Sequence, residues 1–158
     1  DLLHNWLNPP SEFLEKEIEL FPDWIIWHTL ISPKLTLREA IVKPIGKTAY
    51  RVRLVVENDG WLPTYITKKA LNKKVTRGVI CEIEIPPGAT LQTGKVREEF
   101  AQLEGRAYHS AFADLHEGGT DDRLKVEWVV AAPKGGKVRL VARHERAGVV
   151  RAELELQP

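Results

Sequence analysis

From Lys34 onward apolar and polar residues alternate along the chain, and this period of two constrains the fold more than any other feature. Alternation of that kind turns one face of a segment to a core and the other to water, as in a half-buried strand. Tyr50, Val52, Leu54 and Val56 share one side, with Arg51 and Arg53 opposite. Val79, Cys81, Ile83 and Ile85 alternate with Glu82 and Glu84, and Leu124, Val126, Trp128 and Val130 with Lys125 and Glu127. Near the carboxyl end Val138, Leu140 and Ala142, then Val150, Ala152, Leu154 and Leu156, flank Arg146-Ala147-Gly148 in a hairpin pattern. Less regular alternation predicts strands over 35–42, 89–93 and 98–106, which brings the total to about seven or eight.

Turn-forming residues punctuate these runs: Pro44 with Gly46, Asp59-Gly60, Pro86-Pro87-Gly88, Gly118-Gly119 and Lys134-Gly135-Gly136. No helix of crossover length separates the strands, which disfavours parallel βαβ units. The expected fold is mainly β: an antiparallel two-layer sandwich, immunoglobulin-like or a related Greek key. Residues 67–74 suit one short helical turn around Ala70 and Leu71, and 108–123 an exposed excursion.

Residues 1–33 follow another rule. A helix over 9–32 would align Leu14, Ile18, Phe21, Ile25 and His28, with Trp24, Trp27 and Ile31 widening the amphipathic stripe. Asn8 or Ser11 would cap it, and Glu12, Glu15, Glu17 and Glu19 suit the positive end of its dipole. Pro22 predicts a kink or break, and Pro33 ends the helical period. Residues 1–33 are expected to be a junction and helix, and 34–158 the sandwich. The stripe calls for a covering body, so Trp24, Trp27 and Ile31 are candidate interdomain contacts; left bare, the helix would promote self-association. The chain opens on Asp1 and contains no methionine, which suits the tail of something longer.

In 158 residues, 23 Lys and Arg stand against 22 Asp and Glu, giving a formal charge of +1, with the signs interleaved. That pattern is no nucleic-acid footprint. No apolar run is long enough for a transmembrane helix. The one cysteine, Cys81, has no partner for an internal disulfide and reads as a small buried thiol rather than a nucleophile. His4, His28, His109, His116 and His144 do not group at metal-ligand spacings. Residues 114–122, with Asp114, His116, Glu117, Asp121 and Asp122, come nearest to a cation-binding loop, against a plain solvated loop. Glu98 and Glu99 should point to opposite faces of a strand, while Glu82 and Glu84 share the solvent face, so neither pair reads as an acid–base couple. Trp61, Tyr65 and Trp128 raise a sugar-stacking platform, although the phase of Trp128 places it in the core and Trp61 could plug the sandwich end. Trp61 and Tyr65 remain the candidate binding surface. No catalytic, metal or cofactor residue is assigned.

Several whole segments carry a resemblance: YRVRLVVENDGWLPT, KKALNKKVTRGVICEIEIPPGATL, QLEGRA, TDDRLKVEWVV and ARHERAGVVRAELEL. Together they resemble the C-terminal accessory β-domain of bacterial zinc carboxypeptidases related to carboxypeptidase A. HNWLNPPSEFLEKEIELFPDWIIWHTLISPKL is similar to the junction where the last peptidase helix leads into that domain. The resemblance implies a noncatalytic sandwich that scaffolds the enzyme or positions substrate, with its own catalytic domain as partner. Zinc would belong to that domain, because the His-x-x-Glu pair, later histidine, arginine clamp and glutamate base have no counterpart here. The alternative is a glycan or cell-envelope binding module of a secreted hydrolase.

Overall fold

A computed structural model describes residues 10–108 and 121–157, which divide into two compact units between Ile31 and Ser32. The predicted cap Asn8, the position Pro9, and His4, His109, Asp114, His116 and Glu117 lie outside the described residues.

In the first unit, α1 spans Ser11–Ile18 and α2 spans Phe21–Leu30. The helical segment is broken just ahead of Pro22, between Ile18 and Phe21. A proline ring collides with the carbonyl four residues earlier, and that residue is Ile18, where α1 ends. Pro22 then occupies the first turn of α2, where a missing N–H leaves nothing unsatisfied. The amphipathic expectation also changes: Phe21, Trp24, Ile25, Ile26, Trp27 and Leu30 are all exposed and fall on every side of α2, while Ile31 is half-buried.

The second unit is the sandwich. Its strands are β1 (Leu35–Pro44), β2 (Ala49–Asn58), β3 (Ile80–Glu84), β4 (Thr90–Thr93), β5 (Arg97–Glu99), β6 (Arg123–Ala131), β7 (Gly136–His144) and β8 (Gly148–Leu156). One sheet has the order β1-β2-β6-β4 and the other β5-β3-β7-β8, with every pairing antiparallel. With β1-β2-β6 facing β3-β7-β8, the order is that of strands A-B-E facing C-F-G in an immunoglobulin domain. A short helix, α3 (Lys68–Asn72), interrupts the β2–β3 connection, and the Thr67 hydroxyl caps it by accepting from the Ala70 N–H at 3.2 Å.

Core phases follow the alternation. Tyr50, Val52, Leu54 and Val56 meet Val79, Cys81, Ile83, Val138, Leu140 and Ala142 across the interior, with Val126, Trp128 and Val130 beside them. Trp128 is 2% exposed, and its indole N–H donates to the Lys95 carbonyl at 2.9 Å. There the chain crosses from β4 in one sheet to β5 in the other. Gly94, at φ +92°, lets the backbone pass over the Trp128 ring, which a Cβ would strike. In β1 a bulge between Leu37 and Glu39 shifts the inward phase, so that Leu35 precedes it while Ala40 and Val42 follow it inward.

The strand expected over 98–106 ends at Glu99. Beyond it the chain bonds to loops instead of a ladder: Phe100 N–H meets Val79 O at 2.8 Å and Thr64 N–H meets Leu103 O at 2.9 Å. Outer faces carry cross-strand ion pairs, among them Arg53 with Glu127 at 2.8 Å and Lys137 with Glu153 at 2.7 Å. Such exposed pairs contribute little stability each.

Candidate functional site

One end of the sandwich gathers the start of β1, the 59–79 loop, the strap after β5 and the β7–β8 turn. Asn58 organises it. The inward phase of β2 runs Tyr50, Val52, Leu54, Val56 and then Asn58, so an amide arrives where an aliphatic chain is expected. Its Oδ1 accepts from Lys34 N–H at 2.9 Å and Gly60 N–H at 3.2 Å. Its Nδ2 donates to Leu62 O at 2.8 Å and Glu104 O at 3.0 Å. Four bonds exhaust an asparagine side chain and join the start of β1, the loop and the strap.

Thr64 and His144 repeat the device. The fully buried Thr64 hydroxyl accepts from Leu103 N–H at 2.9 Å and donates to Gln102 Oε1 at 2.7 Å. His144 continues the inward phase of Val138, Leu140 and Ala142 and is 4% exposed. Its Nε2 lies 2.9 Å from the Arg77 carbonyl, while Nδ1 faces the Arg146 and Ala147 N–H groups at 3.2 and 3.3 Å. Those partners fix the neutral tautomer with the proton on Nε2. Burial pushes its pKa below the ordinary value, with the Arg77 bond acting in the opposite direction.

The candidate binding surface separates. Trp61 is 54% exposed and so does not plug the end, whereas Tyr65 is 7% exposed and its hydroxyl donates to the Glu104 carboxylate at 2.9 Å. A ring so covered offers no face for stacking; with Trp128 in the core, the three-ring platform is absent. The Trp61 backbone is firmly held, since its carbonyl accepts from Ala107 N–H at 3.0 Å and Gly60 O from Arg106 N–H at 2.9 Å. Arg106 also pairs with Asp59. Gly105 is required at this crossing, because a Cβ would meet the Trp61 carbonyl and Leu62 backbone.

The candidate interdomain residues sit in the first unit. Trp24 and Trp27 are 57% and 56% exposed, and the His28 ring lies between them, with centroids 3.9 Å from Trp24 and 5.0 Å from Trp27. His28 Nδ1 is 2.9 Å from Trp24 O, a bond within the helix.

The carboxylates do not converge on a reaction centre. Glu82 pairs with Arg143 at 2.9 Å and Arg97 at 3.3 Å, and Glu84 with Arg139 at 3.5 Å. Glu98 meets Lys95, whereas Glu99 accepts from Gly78 N–H at 2.9 Å. The Cys81 thiol is buried and pushed up to about 12, first by burial and then by the charge of Glu82, so it is no nucleophile at neutral pH. Among the described residues no three His, Cys, Asp or Glu side chains form a metal donor set, and no helix is long and apolar enough to cross a membrane.

The fold and this end define an immunoglobulin-type β-sandwich module with a hydrogen-bonded loop end. Residues 34–155 match the model of a family described as a domain of unknown function, DUF8731, and the chain belongs to that family. No curated protein sequence matches it. Among solved structures, β-glucosidase 3B from Thermotoga neapolitana, in complex with α-D-glucose, is similar at a TM-score of 0.33 and 13% identity, over 80% of this chain and 16% of that one. DesR, a β-glucosidase from Streptomyces venezuelae in complex with D-glucose, is similar at 0.33 and 12%, over 79% of this chain and 15% of that one. The chain thus spans less than two thirds of the length of either.

Proposed function

We propose that this chain is the noncatalytic sandwich module of a zinc carboxypeptidase, attached to the peptidase body through α2 and serving to scaffold it or to position its substrate. The exposed, all-round apolar surface of α2 carries this reading: Phe21, Trp24, Ile25, Ile26, Trp27 and Leu30 leave no polar side to face water. A helix of that kind is stable when another body covers it, each large side chain contributing on the order of 1.5–3 kcal/mol on burial. The segment resemblance supplies the identity of that body. Zinc and the catalytic groups would reside in that body.

The reading frame preceding Asp1 is expected to encode His-x-x-Glu, a later histidine and a catalytic glutamate; a frame without them refutes the assignment. A chain beginning at Lys34 should fold alone and associate less than the chain from Asp1, as read by sedimentation. The separate exposure of Trp61 favours a second reading, a glycan or cell-envelope module. Retention on insoluble glycans that is lost in Trp61→Ala would support it, and no retention would remove it.

A further inference from the structure

We propose that the cleft where β3, β5, β7 and β8 approach the loop end binds an oxyanion, a carboxylate or a phosphate group, through Arg77, Arg97 and Arg143. The cleft is open, about 520 Å³ in volume, and Ile80 and Val149 form part of its lining beside the three arginines. Its composition suits a charged head joined to a small apolar group. Glu145 is the acid on its wall, and His144 contributes a ring already committed on both nitrogens.

Three features separate this cluster from ordinary surface charge. First, acid and base are unequal: a single oxygen, Glu82 Oε1, serves both Arg143 Nη2 at 2.9 Å and Arg97 Nε at 3.3 Å. Among the described residues no carboxylate pairs with Arg77. Second, Arg143 Nε is buried without a hydrogen-bond partner among the described residues, a donor whose desolvation is uncompensated. Third, the main chain beneath Arg77 is clamped by three side chains. His144 Nε2 and Gln102 Nε2 donate to the Arg77 carbonyl at 2.9 and 2.7 Å, and Glu99 Oε1 accepts from the next N–H, that of Gly78, at 2.9 Å. Gly78 must be glycine, because a Cβ would strike the Phe100 carbonyl. A backbone held in this way presents Arg77 from a fixed base. Guanidinium groups offer paired donors in a plane that match the two oxygens of a carboxylate or the edge of a phosphate.

This inference is independent of the carboxypeptidase reading. The experiment is titration calorimetry of the full chain at low salt with two probes, inorganic phosphate and N-acetyl-leucine, which distinguish the phosphate from the carboxylate source. Saturable binding of at least one is expected. Arg77→Ala and Arg97→Ala should each weaken it about tenfold, the scale of a charge-assisted bond, with melting temperatures unchanged. Glu82→Gln should tighten it by freeing the donors that the carboxylate now occupies. Arg51→Ala, which removes the same charge from the outer face of the other sheet, should leave affinity unaltered. Absence of saturation with both probes overturns the proposal, as does an equal loss in Arg51→Ala, which would mark diffuse charge rather than a site.

Discussion

Replacing Asn58 by alanine should cost this sandwich a large share of its stability, and the size of the loss follows from the bonds removed. The side chain is 2% exposed and satisfies two N–H groups, of Lys34 and Gly60, and two carbonyls, of Leu62 and Glu104. An intramolecular hydrogen bond contributes about 1 kcal/mol net, and a buried group left without a partner costs about 1–3 kcal/mol. Water entering the vacated space recovers part of that, so the expected loss is about 3–4 kcal/mol out of a total of about 5–15 kcal/mol. For a domain of this size it corresponds to a fall in melting temperature of roughly 10–15 °C. Urea denaturation should show a lower midpoint with an unchanged slope, since the surface exposed on unfolding is the same. Asn58→Asp adds a discriminating test. The carboxylate keeps the two acceptor bonds but faces the Leu62 and Glu104 carbonyls without a proton, so its folded pKa should rise above the unfolded value. Its stability relative to the parent should then be best below about pH 4 and fall as pH rises through the folded pKa. A loss below about 1 kcal/mol in Asn58→Ala, or an Asp variant insensitive to pH, would refute the view that this amide ties the loop end together.

Other outcomes follow from neighbouring residues. Because burial depresses the His144 pKa, the unfolded chain binds the proton more readily; the stability due to the neutral ring is complete above the unfolded pKa of about 6.5 and is lost as pH falls toward the folded value. Melting temperature measured from pH 7.5 to 5 should decline, and His144→Gln should flatten that part of the curve. Cys81, raised to about 12 and fully buried, should resist thiol reagents in the native state and react at the rate of unfolding; fast labelling of the folded chain would contradict its placement. Gly105→Ala should destabilise by about 2–4 kcal/mol, because the added methyl meets the Trp61 and Leu62 backbone, and a melting temperature equal to the parent's would show that the crossing can yield.

The layers of the fold were legible where period and burial agree. The inward phases of β2, β3, β6 and β7 can be read from Tyr50, Cys81, Trp128 and Leu140, because an alternating segment has only one way to hide its apolar face. Strand order was not legible, since pairing depends on contacts far apart in sequence. The strand expected over 98–106 failed where side chains outcompeted the ladder: Gln102 and Leu103 bond to Thr64, Thr76 and Arg77 rather than to a neighbouring strand. The residues that hold the loop end carry a signal in the sequence itself. Asn58 and His144 each occupy the last inward position of a strand, and a polar residue in a buried phase implies a set of partners waiting for it. The hydroxyl partner of Tyr65, Glu104, lies 39 residues away, and no local pattern connects the two.

The fastening of β1 and β8 has a mechanical meaning. Both are edge strands and both run away from the loop end, β1 from a start tied by Lys34 to Asn58 and by Leu35 N–H to Ala147 O at 2.8 Å. At the far end the Tyr50 hydroxyl donates to Gln157 O at 2.7 Å. Tension between Ser32 and Gln157 would therefore slide β1 against β2 and β8 against β7 along their length. The ladder bonds would take that load together, rather than opening one by one as a zipper does, so the sandwich would resist lengthening under a pull applied between those two residues.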